Sequence, residues 1–318
     1  MPLIAQSSFV PPRILQSAHV QTIVPALFRP TPVLTLTCES LLTDDDDILE
    51  LEWAKVGSSR LAIISHGLEG SSRSGYALGM GRMLQKRGYD VLLWNMRGCG
   101  REPNRLPSWY HSGKTDDLRR VVDHAKSLSY SSLTLIGISI GGNITLKYLG
   151  EQRSGDIAQA VAVSVPCDLR SSADTLALPK NKIYMNHLLT PLRKRIREKA
   201  ARFPGLFDSE GLDKIRSFHE FDSRFTAPLH GFASVDHYWS SCSCLQYLPH
   251  ITTPTLLISA LDDPFLAPEC FPFREATSNP QLLLETPKHG GHVGFIDSFR
   301  IQPTWIEKRV SRFLSEER

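Results

Sequence analysis

Three kinds of side chain, far apart along the polypeptide, carry the means for nucleophilic chemistry. Ser139 lies in Gly137-Ile-Ser-Ile-Gly141, a pair of acids in Ala260-Leu-Asp-Asp-Pro264, and a pair of imidazoles in Lys288-His-Gly-Gly-His292. A serine hydroxyl is a poor nucleophile until a neighbouring imidazole takes its proton. The imidazole in turn needs a carboxylate to fix its tautomer and steady the imidazolium. Here the three arrive in the order nucleophile, acid, histidine.

The spacing around Ser139 is informative. Leu133 to Ile136 reads as a short buried strand, and Ile144, Leu146, Tyr148 and Leu149 follow at helical spacing. Strand, G-x-S-x-G and helix together describe a nucleophile elbow. The chain two residues either side of the serine passes too close to tolerate a Cβ, and glycines 137 and 141 fill both places. The helix that follows aims its N-terminus at the serine, so the Ile140 N–H is a ready donor to a developing oxyanion. A second donor is expected from the turn His66-Gly67-Leu68, which ends the apolar strand Leu61–Ser65: the Leu68 N–H. His66 and Gly67 are expected beside the substrate, His66 as a histidine shaping the loop rather than as a base.

Two choices follow. Asp263 precedes Pro264 and starts its loop, so it is favoured over Asp262, which is expected to face away or accept loop N–H bonds. Asp168, after another strand, is an outside candidate. His292 follows Gly290 and Gly291, whose freedom at positive φ lets a loop swing an imidazole over the elbow; His289 is expected at the rim.

The elements that must position these residues are legible from apolar patterning. Strands at 61–65, 90–94, 133–136, 157–165, 255–259 and 281–285 alternate with helices at 75–86 and 115–127, the helix that follows Ser139, and one at 304–314. Residues 33–40 and 48–55 form an antiparallel pair, while 1–30 are Pro-interrupted and irregular. The fold class is α/β, with a mostly parallel sheet whose sites lie at the strand C-termini. From 170 to 249 the strand signal disappears, which marks an inserted helical cap; 1–169 and 250–318 make the core. Within the cap, Leu188, Leu189, Leu192, Ile196, Ala200 and Phe203 form an apolar stripe. Arg193, Lys194, Arg195, Arg197, Lys199 and Arg202 lie opposite, expected in water; a resting place on an anionic membrane is the less favoured reading.

At 318 residues and net charge +3 the chain suits one large domain, and its electrostatics do not argue for nucleic acid. Its six cysteines lack a zinc-ligand spacing, and Asp44 to Asp47 lack the Gly and terminal Glu of a calcium loop, so a solvated hairpin turn is expected. Neither a metal nor a cofactor is implied. No signal peptide is visible at the start, no stretch approaches a membrane span, and a cytoplasmic protein is expected.

The chain resembles the YheT-like branch of the α/β-hydrolases. The resemblance rests on His19-Val-Gln-Thr-Ile23, His66-Gly-Leu-Glu-Gly70, Asn95-Met-Arg-Gly-Cys99, Gly137 to Asn143, Ser164-Val-Pro-Cys-Asp168, Glu220-Phe-Asp-Ser-Arg-Phe-Thr-Ala-Pro-Leu-His-Gly-Phe232, Asp263-Pro-Phe265 and Gly291-His-Val-Gly-Phe295. It implies an α/β-hydrolase fold and the triad Ser139, Asp263, His292. A serine hydrolase is therefore expected, cleaving short- to medium-chain carboxylic esters through an acyl-enzyme, with a small acyl ester as its partner. Acyl transfer, or lipase action at a membrane, is the alternative use of the same residues, and a non-catalytic binding protein the outside one.

Overall fold

A computed structural model describes residues 2–152, 155–298 and 303–316. Nine strands among them form one sheet: β1 (Leu3–Ile4), β2 (Thr37–Leu42), β3 (Ile48–Ala54), β4 (Arg60–Ser65), β5 (Asp90–Asn95), β6 (Ser132–Ile138), β7 (Ile157–Val163), β8 (Thr255–Ile258) and β9 (Leu282–Glu285). Their order is β1-β9-β8-β7-β6-β4-β5-β3-β2. Pairing is parallel throughout except at β3, which runs antiparallel to both β2 and β5. The helices are α1 (Ala18–Phe28), α2 (Gly75–Lys86), α3 (Thr115–Ser127), α4 (Ile140–Gln152), α5 (Leu169–Ala177), α6 (Lys182–Arg202), α7 (Phe218–Phe221), α8 (Ala227–Leu229), α9 (Val235–Cys242), α10 (Phe273–Ser278) and α11 (Trp305–Ser315).

The central strands are continuous apolar runs because both faces of the sheet are covered. Strand periodicity divides each run between two cores. Leu61, Ile63, Leu92, Trp94, Leu133 and Leu135 face α3 and α4. Ala62, Ile64, Val91, Leu93 and Ile136 face α2 and α11. Because β4, β6, β7, β8 and β9 are parallel neighbours, the loops leaving their C-terminal ends gather on one edge. This is the edge that carries the turn at His66, Ser139, Asp263 and His292.

Three details differ from the sequence reading. The N-terminal stretch is not wholly irregular: β1 adds an edge strand beside β9, and α1 forms with Pro25 inside it. The aspartate turn between β2 and β3 is not simply solvated. Arg97, in the loop after β5, reaches into it and takes Asp45 at 2.7 Å and Asp47 at 3.2 Å, while holding Asp117 of α3 at 2.7 Å. A buried guanidinium needs carboxylates on several sides, and this turn supplies two.

The third concerns α6. Its Lys194 is exposed, but Arg195 and Lys199 are buried rather than in water. Lys199 donates to Asn104 Oδ1 at 2.7 Å, Arg202 to the Asn104 carbonyl at 2.9 Å, and Arg195 pairs with Glu69. One part of its basic face packs against the core, so the stems of Arg195 and Lys199 are buried and their heads find oxygen partners. Between β7 and β8 no strand occurs among the described residues. No helix there is long and apolar enough to cross a membrane.

Candidate active site

Ser139 sits in the left-handed region at φ +54°, where a β-carbon is strained. Its N–H donates to the Val163 carbonyl of β7 at 2.8 Å, which holds the apex of the turn over the sheet. The flanking glycines are there because of contact, not flexibility. A Cβ on Gly137 would lie 2.6 Å from Thr145 Oγ1 and closer still to the Gly141 carbonyl. One on Gly141 would run into the backbone oxygens of Ser65, the last residue of β4, and of His66 just after it.

His292 is delivered by the loop after β9. Gly290 (φ +146°) and Gly291 (φ +56°) make the reversal, and the His292 N–H donates to Thr22 Oγ1 of α1 at 2.9 Å. Its ring stacks on Phe265 at 4.1 Å. Nδ1 lies 2.8 Å from Asp263 Oδ2 and Nε2 lies 3.0 Å from Ser139 Oγ. The carboxylate can only accept, so Nδ1 carries the proton and Nε2 is left to accept the serine hydroxyl. Asp263 is buried, its other oxygen taking the Phe265 N–H at 2.9 Å.

The other candidates fall elsewhere. Asp262 accepts the Gly291 N–H at 2.9 Å and lies 3.4 Å from His289, bracing the glycine turn; burial raises its acid pKa. Asp168 caps α5 through the Ser171 N–H at 2.7 Å. Of the two positions expected beside the substrate, Gly67 lines the cavity next to Ser139. His66 does not. Its Nε2 accepts the Met96 N–H at 3.0 Å and its Nδ1 donates to the Gly67 carbonyl at 2.8 Å. Full burial pushes its pKa down to about 4, so the ring is neutral and structural.

A Cβ on Gly67 would stand 3.4 Å from Ser139 Cβ, so the turn after β4 brushes the serine. Tyr76 accepts the Gly67 N–H and Tyr110 the Glu69 N–H, each at 2.8 Å. Between them the Leu68 N–H has no hydrogen-bond partner among the described residues. Ile140, opening α4, belongs to the helix turn whose N–H groups have no intrahelical acceptor. A cavity of about 670 Å³ opens in front, bounded by Leu68, Ser139, Ile140 and His292, by Leu27 of α1, and by Leu188 and Leu192 of α6.

Sequence reasoning did not foresee the parts played by Thr22, Phe265, Tyr76 and Tyr110. Only Thr22 and Phe265 left a trace, as members of the motifs around His19 and Asp263. Gln21, in the first of these, is fully buried and ties α1 to the histidine loop through the N–H and carbonyl of Ile296.

Residues 63–299 match the alpha/beta hydrolase fold family, and the chain belongs to it. Within that family it sits in the YheT-like branch: it is 33% identical to the YheT protein of Escherichia coli (strain K12), over 98% of this chain and 94% of that protein. It is also 29% identical to a Mus musculus protein named phospholipase ABHD3, over 92% of this chain and 75% of that one. Among solved structures, an esterase of Pyrococcus furiosus, Pf2001, superposes with a TM-score of 0.61 at 20% identity, covering 89% of this chain and 91% of that one. This last likeness concerns the fold alone.

Proposed function

We propose that this protein is a serine hydrolase of carboxylic esters, acting on short- to medium-chain acyl groups through an acyl-enzyme on Ser139. The observation that carries the reading is the unbroken chain Ser139 Oγ, His292, Asp263, with contacts of 3.0 and 2.8 Å. His292 takes the serine proton as Oγ attacks the ester carbonyl, and Asp263 steadies the imidazolium. The Leu68 and Ile140 N–H groups receive the oxyanion. His292 then protonates the departing alcohol, and water, activated by the same imidazole, releases the acid. The reaction so written needs no cofactor.

Residues 170–249 act in this reading as the cap, with the apolar face of α6 over the acyl chain. The family membership supports a hydrolase, and the apolar lining supports an acyl substrate. The test is a p-nitrophenyl ester series from acetate to palmitate, with fluorophosphonate labelling read by intact mass. Native protein should turn over the shorter esters and gain one label; Ser139→Ala should do neither while melting at the native temperature. Turnover retained by that variant overturns the assignment.

A second use of the same residues, on lipid at a membrane surface, draws on Leu27 and Ile183. Both line the cavity, yet they are 68% and 75% exposed. Co-sedimentation with anionic phospholipid vesicles, and release of fatty acid from them, separates this use from hydrolysis of dissolved esters.

A further inference from the structure

The cavity in front of Ser139 is not apolar throughout. Polar side chains reach its wall from three segments distant in sequence: Ser112 ahead of α3, Asp222 and Thr226 after α7, and Tyr238 on α9. Asp222 and Thr226 belong to the motif from Glu220 to Phe232, for which the ester-cleaving reading has no use. Their backbone, from Asp222 to Thr226, is a π-helical turn, a rare and poorly bonded geometry that recurs at functional sites.

The hydrogen bonds at this wall are incomplete. Asp222 Oδ1 accepts from Thr226 Oγ1 at 2.6 Å, and Oδ2 from Trp239 Nε1 at 3.0 Å. Each carboxylate oxygen has room for a second donor. Beside it, Tyr238 donates to Ser112 Oγ at 2.8 Å, and its phenol oxygen takes the Ser112 N–H at 3.0 Å. That leaves the Ser112 hydroxyl proton free to donate. Both bonded pairs line the same cavity, and the Asp222 charge acts on the Tyr238 phenol that bonds Ser112, so the two pairs are neighbours on this wall.

We propose that Asp222, with Ser112 beside it, is a subsite for a hydroxyl group of the substrate, within the cavity that serves Ser139. An alkyl segment sealed against this wall would strip water from a carboxylate and return nothing. A hydroxyl restores the missing bond to Asp222 and accepts one from Ser112. An ammonium group matches only half of this pattern, because it has no lone pair to offer Ser112. Burial holds the Asp222 acid up at about 6, so above that pH the subsite presents a charged acceptor. The substrate class that follows is an ester bearing a free hydroxyl, either on the alcohol it releases, as in a monoacylglycerol, or on the far end of its acyl chain.

The inference rests on the ester-cleaving reading for its substrate, but its test does not require turnover. Three uncleavable ethers are titrated calorimetrically into the native protein at pH 7.5: 1-O-octylglycerol, 8-hydroxyoctyl methyl ether and octyl methyl ether. One of the two hydroxylated ethers should bind roughly 10- to 100-fold more tightly than octyl methyl ether, as expected for a hydrogen bond to a buried charge. Which of them does so assigns the hydroxyl to the alcohol side or to the acyl side. Asp222→Asn should abolish the preference while leaving octyl methyl ether binding within about threefold. Equal affinities of all three ethers for native protein overturn the proposal, whatever the variant does. So does an Asp222→Asn protein that is folded and keeps the preference. If Asp222 serves only to hold its turn, the variant weakens all three ethers alike.

Discussion

Arg195, in the middle of α6, closes a two-pronged ion pair on Glu69: Nη2 to Oε2 at 2.9 Å and Nε to Oε1 at 3.1 Å. Glu69 follows Leu68 directly and is itself held in the left-handed region at φ +51°. Tyr110 completes the clamp, accepting the Glu69 N–H at 2.8 Å and donating to its carboxylate at 3.0 Å. A strained turn next to Ser139 is thus fixed by a helix more than a hundred residues later in the chain. Strain of this kind persists only where surrounding contacts over-determine it.

Replacing Arg195 by Met should therefore do two things. Glu69 is left buried and unpaired, which costs about 3–5 kcal/mol in urea unfolding. In the protein that remains folded, kcat should fall more than KM rises, because the Leu68 N–H is no longer held for the oxyanion. The double variant Arg195→Met/Glu69→Gln should regain most of the stability. A single variant within about 1 kcal/mol of native would show that the pair does not hold the turn.

Asp263→Asn should lower kcat by about 10⁴-fold with the melting temperature little changed, since the amide favours the wrong imidazole tautomer. Asp262→Asn should cost less than about tenfold, because that residue braces Gly291 rather than the ring. The two variants assayed side by side on p-nitrophenyl butyrate decide between the adjacent acids.

The glycines divide by contact. Gly141→Ala forces a methyl into the backbone of β4 and should destabilise by more than about 3 kcal/mol, or yield no soluble protein. Gly75→Ala, at the start of α2 with open space around it, should stay within about 1 kcal/mol of native. Denaturant midpoints of the pair measure the difference.

Acid should weaken the fold well before its ordinary carboxylates protonate. His66 and His230 are held near 4, and His111 well below its usual value, mainly by burial; the fields of His230 and Lys114 add to the effect on His111, and that of Lys114 to His230. A histidine depressed in the folded state binds its proton more readily when unfolded. Its contribution is complete above about 6.5 and is lost as pH falls towards about 4. For His66 this amounts to roughly 3 kcal/mol. Asp222, raised to about 6, works in the opposite sense over part of the same range. Unfolding free energies measured from pH 7.5 to 4.5 should decline, and more shallowly in His66→Gln once its lower starting stability is subtracted. A flat profile would contradict the neutral assignment of these rings.

The sequence carried the framework because its signals are local. Apolar runs bounded by turns placed every central strand, and α2 and α3 end where the periodicity ends. The tight turn at Ser139 was equally legible, since Gly137 and Gly141 lie within five residues of sequence. Neighbouring choices were legible through backbone chemistry: Gly290 and Gly291 marked His292, and Pro264 marked Asp263. By contrast α1 was obscured by Pro25 within it and by the prolines on either side, and its role in seating His292 through Thr22 lies 270 residues from the residue it serves.

What the chain by itself determined was the parallel α/β sheet and the identity of the three residues that gather at its edge, because strand period, turn glycines and chain order all act over short distances. What only the tertiary structure decided was where the charges go. Arg195, Lys199 and Asp47 look like surface residues in any local window, and each is instead buried with its own oxygen or nitrogen partners. The reason is physical: an ionised group is tolerated away from water only beside a partner, and that partner is supplied by a distant segment which no local pattern reveals.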